Sequence, residues 1–243
     1  MTEFQPYRIF AFWTGDNPMS ENRKACLATF ERTGLEPVLV TPDNLSEWVV
    51  PDHPIHPAFQ YLSATQRGDY LKAYMMYHHG GGYADIKRQL ESWLPTVDKV
   101  LKSGILIGAG YREVRGGTPW LHNHMVNGQT YIIDRPAPYR VTKLVSNIMR
   151  GSYWYMIGNG ALYFKRHSLY CKIWLNAVEY RLDLLYDSLK ANPARHPRDS
   201  AREGTGYPVP WSFLHGDING PLSLAFFWSL SRDLPRPDFI NYM

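Results

Sequence analysis

Short β-rich runs alternating with helically spaced stretches constrain this chain more than any other feature: YRIFAFW (7–13) and EPVLV (36–40) bracket the first such stretch. Strand, helix, strand in that order selects a mostly parallel sheet covered by helices, because parallel neighbours need a long crossover between them. Ser20 is placed to cap a helix running to about Arg32, and Gly34 lies just beyond its end. From Ser63 to His79 the pattern is helical again, with Arg67, Leu71, Tyr74, Met75 and His78 on one face. Further strands are predicted at 104–110, at 130–134 and at 154–164, the last interrupted by a glycine bend. Ile173 to Leu189 reads as an amphipathic helix, with Trp174, Val178, Leu182 and Leu185 toward the core. The stretches 111–128 and 191–208 read as loops, the first rich in rings and suited to recognition.

At 243 residues and 44% hydrophobic, the chain is long enough for one α/β domain over 1–243 with a substantial core. Its net charge of +4 favours an anionic ligand or surface, and no run of cations forms a stripe for nucleic acid. Cys26 and Cys171 alone make no disulfide framework and no zinc motif, which fits a reducing compartment. The first residues lack a secretory pattern, and the longest apolar stretch, Leu222 to Leu230, is far shorter than a bilayer span. The expectation is a cytoplasmic protein with no transmembrane segment, able to visit a membrane surface.

In HHGGGYADIKR (78–88) glycines end the helix and a short strand follows. That order places Asp85 at the rim of the sheet, where open α/β folds bind ligands. The run DYLKAYMMYHHGGGYADIK (69–87) resembles the motif of GT-A fold nucleotide-sugar glycosyltransferases, of the DXD-containing and capsular polysaccharide synthesis type. Asp69 falls on the motif's first Asp, Lys72 stands where the family has Arg, Gly80 and Gly81 supply the glycine pair, and Tyr83 matches its Tyr. Asp85 matches the first Asp of Asp-X-Asp, and Lys87 replaces the second.

The resemblance implies a GT-A type, mostly parallel Rossmann-like sheet and transfer of a sugar from a nucleotide-sugar donor, a UDP-sugar above all, to a glycan hydroxyl. It implies nucleoside contacts from Ala11, Phe12, Trp13, Thr14 and Asp69, with residues 41–44 closing on the ribose. Asn159 is the implied contact to the donor sugar, and the segment holding His215 and Gly216 would fold over the diphosphate. Asp85 and His215 are the implied ligands of Mn²⁺ or Mg²⁺, Asp85 and Asp217 the catalytic carboxylates, and Asp217 the base. Because Lys87 replaces a carboxylate, two arrangements stay open. Either Asp85 holds a metal with help from elsewhere, or it holds a hydroxyl while Lys87 holds the phosphates.

Plainer readings exist for the same residues: Asp69 as a solvated helix position, Asp85 as a turn cap, Trp13 as core, His215 as a satisfied polar group, Lys87 and Arg88 as an exposed pair. Competing functions are thinner. HHGGG is similar to an esterase oxyanion segment, but no Gly-X-Ser-X-Gly elbow accompanies it. The residues after the first strand, WTGDNP, are not the Gly-X-Gly-X-X-Gly of a dinucleotide site. The main alternative is a catalytically impaired nucleotide-sugar or glycan-binding protein of the same fold.

Overall fold

The computed structural model describes residues 5–201 and 205–240. Residues 202–204 of the predicted 191–208 loop lie outside them.

The central sheet has the order β2-β1-β3-β7-β4-β8. Its strands are β1 (Arg8–Phe12), β2 (Glu36–Val40), β3 (Gly81–Ala84), β4 (Gly108–Arg112), β7 (Ile157–Phe164) and β8 (Leu230–Ser231). β1 pairs in parallel with β2 and β3, and β4 with β8. β7 runs against both of its neighbours, β3 and β4. The sheet is therefore α/β and mostly parallel, with one reversed strand at its centre.

Residues alternate between two cores on the faces of this sheet. Ile9 and Ala11 enter one core with Ala161 and Tyr163, while Phe10 enters the other with Leu162 and Phe164. That period of two is the pleat of a strand buried on both faces. The helices are α1 (Glu21–Ala28), α2 (Ala64–His78), α3 (Leu94–Lys102), α4 (Tyr139–Gly151), α5 (Leu169–Ala191) and α6 (Gly216–Ala225). Among the described residues no helix is long and apolar enough to cross a membrane.

Several local predictions hold. Ser20 caps α1 as predicted, accepting from the backbone amide of Arg23, and α2 starts where the helical pattern was placed, with Ser63 accepting from the amide of Gln66. α1 is shorter than predicted; a 3₁₀ turn over Thr29–Thr33 completes the segment, and Gly34 ends it with φ of 76°.

Other predictions are corrected. Burial of α2 extends beyond the predicted face: Asp69, Tyr70, Leu71, Lys72, Ala73, Tyr74, Met75 and Met76 are all buried, because the sheet and α5 enclose it. The strand predicted at 104–110 begins at Gly108, since Ser103 Oγ accepts from the amides of Ile105 and Leu106 and holds that stretch in a turn. The strand at 130–134 is instead a hairpin outside the main sheet, formed by β5 (Thr130–Ile132) and β6 (Arg135–Ala137). The strand predicted from 154 begins at Ile157, behind a 3₁₀ turn over Tyr153–Tyr155; its pairing shifts register from Gly110 with Leu162 to Arg112 with Ile157, so the additional residues lie on β7 around its glycines, where the interruption was predicted. Gly158 serves close packing, since a Cβ there would lie 2.1 Å from the Tyr111 ring. α5 starts a turn earlier than predicted, capped by Ser168.

Candidate functional site

The parallel register that sets Phe10 beside Tyr83 brings the carboxyl ends of β1 and β3 to one rim. What leaves those ends is Phe12 and Trp13 on one side, and Asp85, Ile86 and Lys87 on the other. Between them opens a cleft of about 370 Å³, which Arg23, Lys72, Arg198 and Trp211 also line. Phe12 stacks on Tyr83, with centroids 4.9 Å apart and planes at 26°. Trp13 donates its indole N–H to the Asn17 carbonyl at 2.8 Å, which sets the ring's orientation.

Below the cleft runs a chain of charges. Lys87 Nζ lies 2.7 Å from Asp85 Oδ2, and the Tyr83 hydroxyl donates to Asp85 Oδ1 at 2.7 Å. Lys72 Nζ lies 3.6 Å from Asp85 Oδ1 and 3.1 Å from Asp69 Oδ1. His215 Nδ1 comes within 3.2 Å of Asp69 Oδ1 without hydrogen-bond alignment, and Nε2 has no partner among the described residues. Burial opposes ionisation of Asp85, but Lys72 and Lys87 overcome it and hold the carboxyl well below its usual range. Asp69 is likewise depressed against its burial, by Lys72 and His215, and Lys72 is raised against its burial by the two carboxylates. Burial and the nearby Lys72 push His215 down, against the pull of Asp69.

This donor set does not fit a hard divalent cation, which needs several free oxygens. Both Asp85 oxygens and one of Asp69 already face ammonium or phenol groups. Among the described residues no group of three or more His, Cys, Asp or Glu side chains is arranged to hold a metal.

The remaining predicted residues divide. Phe12, Trp13 and Thr14 line the cleft, so Trp13 is a wall and only partly core. Ala11 does not line it; the pleat turns its side chain into the core beneath. Asp69 lies under Lys72, out of reach of a ligand in the cleft. Residues 41–44 do not line the cleft, because Asn44 is spent on the turn, accepting from the Thr41 amide and donating to the Leu39 carbonyl. Asn159 lies next to Gly160, whose carbonyl accepts from the Asp85 amide, and 3.8 Å separates its Nδ2 from where a Gly216 Cβ would be. His215, Gly216 and Asn159 thus gather behind Asp85.

Asp217, buried at the first turn of α6, is already engaged. Ser212 Oγ donates to its Oδ1 and His124 Nδ1 faces its Oδ2, each at 2.7 Å. Burial works against a charged His124, but the hydrogen bond and charge of Asp217 outweigh it and raise the imidazole's pKa. The ring itself is half-buried. Ser212 also touches Gly216, 3.2 Å from its Cβ position, so the His124–Asp217 pair joins the Asn159 side of the site.

Sequence reasoning missed Arg23, Arg198, Trp211 and Phe239, and placed His124 only as part of the ring-rich recognition loop, without its pairing to Asp217. The Phe239 ring lies 4.1 Å from Lys87 Nζ, and the amide of Asp238 donates to the Arg88 carbonyl, so the chain's end covers the lysine. Spacing carries no signal for such groups: Arg23 comes from α1 and the others from segments far along the chain. No family model, curated protein or solved structure matches this chain.

Proposed function

We propose that the protein is a GT-A type glycosyltransferase that moves a sugar from a nucleotide-sugar, of the UDP class, to a glycan hydroxyl. The observation that carries this reading is the lining of the cleft: four cations, Arg23, Lys72, Lys87 and Arg198, and one carboxylate, beside the rings of Phe12, Trp13 and Trp211. Rings and cations lining one cleft suit a base joined to a diphosphate.

In this reading Trp13 stacks the base, and Lys87 and Lys72 lie along the diphosphate in place of a metal. Asp85 keeps both ammoniums at the rim, while Asn159 meets the donor sugar. An acceptor oxygen attacks the anomeric carbon, the bond from that carbon to phosphate breaks, and its electron pair leaves with the nucleoside diphosphate. Lys87 and Lys72 offset the charge that develops there. The acceptor's proton goes to His124 Nε2, because Asp217 is too deeply buried to meet substrate and acts as the positioning residue that holds Nδ1.

The neutralisation of Asp85 by two lysines also supports a second reading, a protein that binds nucleotide-sugars or glycans without turnover. Titration calorimetry with uridine diphosphate, run with Mn²⁺ and with a chelator, tests the site; equal binding in both is expected, and no binding in either overturns the donor assignment. Release of uridine diphosphate from a panel of donors then separates the enzyme from the binding protein.

A further inference from the structure

α4 sets two polar side chains on its inner face beside Met149 and leaves an apolar row outside. Thr142 and Ser146 face the interior, where Ser146 Oγ accepts from the Leu121 amide and Thr142 Oγ1 donates to Thr130 Oγ1. Its apolar stripe, Val141, Leu144 and Ile148 at helical spacing, points to solvent, with Leu144 59% and Ile148 50% exposed. Exposed rings continue this face. Tyr139 packs on His122 and His122 on Trp120, whose ring carries the Arg150 guanidinium at 4.2 Å. Past the end of α4, Trp154 packs on Tyr155 and Tyr155 on Phe227, beside Trp228 at 61% exposure. Large apolar side chains exposed together on one helix face and on the turn that follows it mark a binding face.

Charge identifies the occupant. Residues 111–155 hold six Arg and Lys against two Asp and Glu, whereas the rest of the chain holds twenty of each, so this segment carries the whole net charge of +4. Glu113, one of its two acids, is buried, while Arg112, Arg115, Arg135, Arg140 and Lys143 are exposed. We propose that α4 and the aromatic turn after it dock the protein on an anionic membrane surface, the apolar stripe and rings entering the boundary between headgroups and acyl chains and the cations meeting lipid phosphates. An outward apolar stripe, flanking Arg and Lys and interfacial Trp and Tyr are what such a surface selects. The inference is independent of the transfer reaction.

Flotation of the full chain with phosphatidylcholine vesicles, with and without one-third phosphatidylglycerol, tests it. The expected result is binding to the anionic vesicles that weakens with salt. Leu144→Glu/Ile148→Glu is expected to abolish binding while leaving Tm unchanged, as both side chains are exposed. Arg140→Gln and Lys143→Gln are each expected to weaken partitioning about fivefold, the equivalent of about 1 kcal/mol per cation. Absence of vesicle binding by the wild type overturns the proposal. So does a dimer in light scattering that the Glu pair converts to monomer without any vesicle binding in the wild type, which would assign the face to a second copy of the chain.

Discussion

Lys87 Nζ lies 2.7 Å from Asp85 Oδ2, and the Phe239 ring closes on the same ammonium from the other side. The lysine is thereby held at the rim of the cleft, and Lys72 shares the same carboxylate. If this ammonium holds a diphosphate, Lys87→Ala weakens uridine diphosphate binding roughly ten- to hundredfold, the worth of a charge-assisted hydrogen bond. A dissociation constant within twofold of wild type, by calorimetry, removes Lys87 from the site.

Asp85 supports the fold as well as the chemistry. Asp85→Asn keeps the shape but leaves Lys72 and Lys87 sharing a partner short, at an expected cost of about 2 kcal/mol, below the cost of breaking a fully buried pair because the carboxylate is partly solvated. Its pKa is depressed in the folded state, so its contribution is complete above the usual 3.8 and fades as pH falls below it toward the folded value. Urea midpoints of wild type and variant should therefore differ at pH 7 and converge in acid. Equal midpoints at pH 7 would show that the lysines do not depend on this carboxylate.

The His124–Asp217 pair predicts a kinetic signature. His124→Ala lowers kcat by about 10²- to 10⁴-fold with little change in donor KM, as loss of a general base does. Asp217 raises the imidazole's pKa above its usual 6.5, so activity rises with pH on a limb above that value. Asp217→Asn leaves burial and the Arg181 charge, both of which lower the imidazole's pKa, and moves the limb toward lower pH. A limb that stays in place would unlink the pair from catalysis.

Trp13 is placed to stack a base, an interaction worth about 1–3 kcal/mol in aromatic platforms. Trp13→Ala should weaken uridine binding by at least fivefold, with ribose 5-phosphate unaffected as the control. Loss of affinity for both ligands alike would indicate collapse of the cleft wall instead.

Gly158 tests the packing behind the site. Gly158→Ala drives a methyl into the Tyr111 ring, 2.1 Å from its carbons, and should cost about 1–3 kcal/mol. In a Tyr111→Ala background the same change should be nearly neutral. Equal costs in both backgrounds would point to strand backbone and not the ring.

Much was legible in the residues themselves. Ser20 and Ser63 cap helices, Gly34 ends a segment and Asp85 leaves a strand at the sheet rim, because caps, positive φ and strand exits are decided by atoms within a few residues. Phe12 and Trp13 reach the cleft for the same reason, as they leave the carboxyl end of β1. Tertiary structure alone decided the rest. The reversal of β7, the burial of α2 on every side, the delivery of Arg198 and Trp211 to the cleft and of Phe239 to Lys87, and the meeting of His124 with Asp217 across 93 positions depend on chain closure. Local pattern measures preference along the chain, whereas partners are chosen by which distant surfaces can be buried together and which charges must then be answered there.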